Sequence, residues 1–179
     1  METGEAKWID PRHNEEADEE AFLTFSLPIY ASGERDTERT DTSKIVGVMS
    51  VDLSVNLLSD IVQKNKPTPN SYTVLLGQNG TYIIHPDHDK LLKQTVYDLP
   101  KNEEDDSRLE AAKAVMSGKT GFLPFTLNGK KWQVFYKPCH LYEVPNRSMK
   151  HLNWSLGVVY PDEDIFGDYS HMLVHVLRS

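Results

Sequence analysis

The clearest alternation of apolar and polar positions runs from Ser71 to Asp87, SYTVLLGQNGTYIIHPD. Tyr72, Val74 and Leu76 alternate ahead of Gln78-Asn79-Gly80, and Tyr82 and Ile84 alternate after it. Asn-Gly tolerates the positive φ of a tight hairpin turn, so the stretch is predicted as two antiparallel strands. A second such corner, Asn128-Gly129, joins a strand over 121–127 to one over 130–137, where Trp132, Val134 and Tyr136 share a face. Residues 153–160, NWSLGVVY, read as a final strand ended by Pro161. Between the hairpins, 105–117 carries Leu109, Ala112, Val115 and Met116 at helical spacing, with Asp105 or Asp106 to cap it and Gly118 to stop it. Asp162 to Val176 opens on acidic residues, as a helix N-terminus prefers.

The first half is sparser. Residues 21–30, AFLTFSLPIY, have strand composition, with Pro28 marking an edge or an exit. Residues 44–53, KIVGVMSVDL, form a second strand. Alternation puts Ile45, Gly47, Met49 and Val51 on one face and Val46, Val48, Ser50 and Asp52 on the other, so a carboxylate is expected among valines. Residues 54–64 turn helical, capped by Ser54 or Asp52, with Leu57, Leu58, Ile61 and Val62 as the inward stripe. Pro67 and Pro69 end that helix and stiffen the connection, which sets an expected domain boundary after residue 66. The order β-β-α-β-β-β-α in the second half predicts an α+β fold with a five-stranded antiparallel sheet.

Composition narrows the function classes. Of 179 residues, 39% are hydrophobic and 26% charged, as in an ordinary globular protein. The net charge of −8 and the lack of any basic stripe argue against nucleic-acid binding, which needs cations along the phosphates. The lone Cys139 has no internal partner and reads as a buried, inert thiol. No run reaches the roughly 20 apolar residues that span a bilayer. The acidic opening, Met1-Glu2-Thr3-Gly4-Glu5, is unlike a signal peptide. Work outside a cell would therefore imply a piece taken from between two membrane segments.

The ordered set of landmarks resembles the extracytoplasmic Cache (PAS-like) sensor domains of bacterial transmembrane receptors. The resemblance rests on Gly80 to Asp87 for the second strand, Gly121 for the third, Trp132 to Tyr136 with Pro138 for the fourth, and Asn153 to Val159 for the fifth. Thr24 to Tyr30 and Val46 to Ser54 resemble the last two strands of a preceding module, and Trp8-Ile9-Asp10-Pro11 sits where such modules carry an aromatic near the pocket. The resemblance implies a double Cache unit truncated at its N-terminus. Residues 1–66 would be a partial membrane-distal module, 67–165 a membrane-proximal module, and 166–179 the start of a helix leading to a membrane segment.

It also implies a ligand-sensing role without catalysis or cofactor, and a small-molecule ligand. The full-length receptor would be membrane-anchored, as a possible homodimer, with a histidine kinase, chemoreceptor, cyclase or phosphatase as its output. Asp52 matches a family position that can hold a ligand's ammonium group, against the alternative that it caps the following helix. Ala6 stands where amino-acid-binding variants carry an Arg, which leaves a clamp for a free α-carboxylate without its cation. Trp8, Phe25 and Tyr30 are candidate lining for the distal pocket, or plain core.

Tyr72, His85 and Tyr136 are weaker candidates for a proximal pocket. His85-Pro86-Asp87-His88-Asp89 invites a competing reading as a metal-binding or hydrolytic site. The spacing around a proline lacks the facing geometry of a helical His-Glu-x-x-His, so a plain strand end is the alternative. No Gly-x-Ser-x-Gly elbow or phosphate-cradling loop occurs.

Overall fold

The computed structural model describes residues 5–9, 11, 21–31, 45–100, 105–140, 149–150 and 152–167. Two sheets organise them. The smaller is built from β1 (Ala6–Ile9), β2 (Phe22–Tyr30), β3 (Ile45–Ser54) and β8 (Met149–Lys150), in the order β3-β2-β1-β8. β1, β2 and β3 run antiparallel, while β8 returns from late in the chain to pair with β1 in parallel. Two residues are too few to leave an alternation signal, and β8 has no counterpart in the sequence reading. The pairs between β1 and β2 run only from Thr24 to Ser26, so Pro28 lies in β2 beyond the β1 ladder and its missing N–H costs no bond to β1.

Helix α1 (Val55–Lys64) follows β3 directly. Ser54, not Asp52, is its N-cap: the hydroxyl accepts from the Leu57 N–H at 3.1 Å. The inward stripe is also corrected. Val55 and Ser59 are buried, with Leu58 and Val62 packed against the core, while Leu57 and Ile61 are exposed. The spacing 55, 58, 59, 62 is an ordinary helical face. A wholly buried serine occupies the position that apolar pattern-matching gave to Ile61.

The larger sheet holds β4 (Tyr72–Leu76), β5 (Tyr82–Ile84), β6 (Gly121–Leu127), β7 (Lys130–Cys139) and β9 (Trp154–Pro161). Their order is β5-β4-β9-β7-β6, antiparallel throughout, as the hairpins required. Both Asn-Gly corners join antiparallel strands as expected; Asn128 and Gly129 both take positive φ, 52° and 74°, whereas at the first corner only Gly80 does, at 79°. β4 and β9 are interior strands covered on both faces. Val74, Leu76, Val134 and Val159 pack against Ala111 and Val115 of α2 (Ser107–Val115). On the other face Leu75 and Ile84 join Leu23, Val55 and Trp154, so the two halves of the chain share a core.

β5 is too short to cover β4 along its length. Gln63 of α1 substitutes for it, donating from Nε2 to the Thr73 carbonyl at 2.7 Å and accepting from the Thr73 N–H at 3.2 Å. α2 starts two residues later than expected, and the Asp105 carboxylate accepts from the Ser107 N–H at 2.8 Å. A last helix, α3, occupies residues 162–167, and its expected continuation to 176 lies outside the described residues.

Candidate functional site

The sheet register sorts the distal candidates. Trp8 stands opposite Phe25 across β1 and β2, with ring centroids 5.0 Å apart. Thr24 stands opposite Asp52 across β2 and β3, and its hydroxyl donates to the Asp52 carboxylate at 2.6 Å. Neighbouring strand residues point to opposite faces. Trp8 and Phe25 therefore share one face of the sheet while Asp52 lies on the other. The expectation of Asp52 half-buried among valines is overturned. Among the described residues β3 is the edge strand, and Asp52 is exposed, as are Val46 and Val48 on its face. Tyr30 lies past a bulge, five positions from Phe25, or about 17 Å along β2 at ~3.4 Å per residue. The Trp8 indole N–H is buried with no acceptor among the described residues.

The proximal candidates fall on one row of rings. Tyr82, His85, Tyr72 and Trp132 follow one another with centroids 4.7, 5.7 and 6.1 Å apart. His85 is 7% exposed, and its Nδ1 accepts from the Asp87 N–H at 2.9 Å, which leaves Nε2 as the protonated nitrogen of the neutral ring. Burial lowers its pKa to about 4; Lys90 pushes the same way and Asp87 pushes back. Burial raises the Tyr72 pKa to about 12, with Tyr82 adding to the rise and Arg108 opposing it. Tyr136 is apart from the row, lying over Gly121.

The His-Pro-Asp-His-Asp segment does not converge. His85 is occupied by the Asp87 N–H, and Asp87 itself accepts from the Asp89 N–H at 3.1 Å. His88 turns away to Asp60 of α1, Nε2 to carboxylate 3.0 Å. Among the described residues no three His, Cys, Asp or Glu side chains are placed to hold a metal ion. Cys139 is half-buried against the shared core, and burial raises its pKa, the opposite of an activated thiol.

A cavity of about 80 Å³ lies between α2 and the larger sheet. Its wall is mainly apolar, with Val74, Leu76, Val96, Leu99, Val115 and Phe125 prominent, and its polar lining residues are Tyr72, Tyr82 and Arg108. Of the proximal candidates read from the sequence, only Tyr72 lines it. Tyr82 was visible only as a strand residue, and Arg108 only as one charge on a helix. Their convergence depends on α2 packing on the larger sheet, chiefly against β6 and with Val74 and Leu76 of β4 in the same core, which no local pattern encodes.

This two-sheet α+β arrangement is that of extracytoplasmic sensor modules. The chain belongs to the Cache domain family, whose model matches residues 1–169. Among solved structures, it is similar to the extracellular domain assigned to the histidine kinase mmHK1S-Z3, with TM-score 0.60 and 21% identity over 93% of this chain and 53% of that one. It is also similar to the periplasmic sensory domain of the Campylobacter jejuni chemoreceptor Tlp1 (TM-score 0.58, 20% identity, 92% and 52% covered). A third is the ligand-binding domain of the Pseudomonas aeruginosa PAO1 amino-acid chemoreceptor PctB in complex with L-Arg (TM-score 0.55, 20% identity, 96% and 56% covered). The chain spans about half the length of these structures. No curated protein matches it. Cache sensor domains are typically ligand-binding modules rather than enzymes. Among the described residues no helix is long and apolar enough to cross a membrane.

Proposed function

We propose that the chain is the extracytoplasmic ligand-sensing part of a transmembrane signal-transduction receptor of the histidine-kinase, chemoreceptor or phosphatase type, with no catalysis of its own. The observation that carries this reading is the Cache family match, which runs through both sheets rather than one. Residues 1–66 serve as the membrane-distal portion, 67–165 as the membrane-proximal module, and 166–179 as the start of the connection to a membrane segment. The receptor is anchored in the membrane and works as a homodimer. A ligand needs only to bind one arrangement of the two sheets better than another to produce a signal.

The ligand is a small molecule. Its proposed distal contacts are the Trp8 and Phe25 rings on one face of the smaller sheet, with Tyr30 farther along β2, or, for a cationic ligand, the Asp52 carboxylate on the other face. Amino-acid binding by PctB makes amino acids the first class to try. The test is a thermal-shift screen of amino acids and small organic acids, repeated on Trp8→Ala and Asp52→Ala. A raised midpoint that one of these variants abolishes supports distal sensing. A screen in which no compound moves the midpoint contradicts it.

A further inference from the structure

We propose that the three consecutive acidic residues opening α3 form a coupling junction. Asp162 and Glu163 hold the root of the helix to the larger sheet, while Asp164 makes its direction follow the link between α1 and β4. The inference deepens the sensor reading, on which its part in signalling rests, by naming the residue through which a displacement would leave the domain.

The three carboxylates have partners on different elements. Asp162 accepts from the Gln133 side-chain amide of β7 at 2.8 Å, and Glu163 lies 3.8 Å from the Lys130 ammonium at the start of the same strand. Gln133 is buried, whereas the Glu163 pair is exposed and correspondingly weak. Both partners belong to the larger sheet, so β7 is the fixed reference for the root of α3. Asp164 turns instead to the link, where the Thr68 hydroxyl and the backbone and side-chain N–H groups of Asn70 donate to it. Hydrogen bonds to an ionised carboxylate are roughly twice as strong as neutral ones, so this clamp outweighs the Glu163 contact.

The link is built to pass on a displacement rather than absorb it. Pro67 and Pro69 fix two of its φ angles. Between Thr68 and Ser71, three hydrogen bonds close a turn. Ser71 Oγ accepts from the Thr68 N–H at 2.9 Å and donates to the Thr68 carbonyl at 2.8 Å, and the Ser71 N–H donates to that carbonyl at 3.2 Å. At the far end, α1 runs straight on from β3, and its Val55 N–H donates to the Ala21 carbonyl, at the entry to β2, at 3.0 Å. Smaller sheet, α1, link and Asp164 are thus one bonded path that ends on α3. A displacement of α1 relative to β7 loads the Asp164 bonds and leaves the Asp162 bond alone, which turns the helix about its root.

The experiment attaches nitroxide labels in pairs to the full chain, in a Cys139→Ala background, and reads their distances by pulsed electron paramagnetic resonance. The label positions are Leu57→Cys on α1, Phe135→Cys on β7 and Phe166→Cys on α3, all exposed side chains. In Asp164→Ala, the share of molecules outside the main peak is expected to rise about tenfold in both distances that involve α3. The α1–β7 distance should keep its width. Asn70→Ala, which changes only the link, should raise the same two shares several-fold. Unchanged α3 distances, or an α1–β7 distance that broadens as much as they do, would overturn the proposal. If Asp164→Ala does not fold, Asn70→Ala combined with Thr68→Val decides by the same criterion. No ligand enters the measurement, so the junction and the sensing read by thermal shift stand or fall separately.

Discussion

Asn70 donates twice to Asp164, from its backbone N–H at 2.9 Å and from its side-chain amide at 2.8 Å. The Thr68 hydroxyl donates to the same carboxylate at 2.5 Å. Thr68 and Asn70 belong to the proline-flanked link after α1, and Asp164 belongs to α3. One carboxylate thus ties the connection between the two halves to the helix in which the described chain ends. In a sensor, this is where rearrangement of the smaller sheet would reach the exit helix.

Asp164→Ala removes three hydrogen bonds to a charged acceptor and is expected to cost about 1–2 kcal/mol, since each net bond in a partly solvated setting is worth ~1 kcal/mol or less. Asn70→Ala loses only the amide contact and should cost less than half as much. Urea unfolding of the two variants checks the order. Equal losses, or none, would show that the clamp does not hold the link.

Acid should destabilise the fold in two stages. The unfolded chain protonates its histidines as pH falls through about 6.5, but the buried His85 resists until about 4. Over that window the unfolded state binds more protons, so stability declines as pH drops. Asp164 adds a second loss. Burial raises its pKa, but the bonds from Thr68 and Asn70, with the Lys66 charge, outweigh this and leave it below the ordinary carboxylate value. Its contribution is therefore complete above the ordinary carboxylate pKa and is lost as pH falls through the lowered one. Melting points from pH 7 to 3 should show both, and His85→Leu should flatten the limb between 6.5 and 4.

A side chain on Gly157 should be poorly tolerated. A Cβ there would meet Val74 Cγ2 at 3.0 Å and Val134 Cγ2 at 3.5 Å, between the interior strands beneath α2. Valine is stiff at χ1 and cannot swing aside cheaply. Gly157→Ala is expected to cost about 1–3 kcal/mol, measured by thermal or denaturant unfolding. At Gly121 a Cβ would run into the Tyr136 hydroxyl, so Gly121→Ala should displace that ring.

Helix α1 offers a contrast within one element. Leu57→Ala and Ile61→Ala should each change stability by about 0.5 kcal/mol or less in this chain, because both side chains are exposed. Val55→Ala should cost about 1–3 kcal/mol, because Val55 sits in the shared core. The reverse order would restore the inward face first read from the sequence.

What the sequence encoded locally, it encoded legibly. The Asn79-Gly80 and Asn128-Gly129 corners, the strands they join and the helix between them follow from turn chemistry and periodicity, and they suffice for the α+β sheet. Asp52 was misplaced because alternation states which residues share a face, not whether anything covers that face. β3 is an edge strand, so neither valine nor carboxylate is enclosed among the described residues. Ser59 was missed because a buried polar residue interrupts the apolar count. Arg108 and Tyr82 meet only through tertiary packing, and nothing within a window of the sequence brings residues 82 and 108 together.

The central claim is that this domain faces away from the cytoplasm. In the full-length protein, an alkaline-phosphatase reporter inserted in the exposed Asn128-Gly129 turn, paired with a green fluorescent protein at the same point, tests it most directly. The account predicts phosphatase activity and no fluorescence. A fluorescent fusion without phosphatase activity would place the domain inside the cell and contradict it.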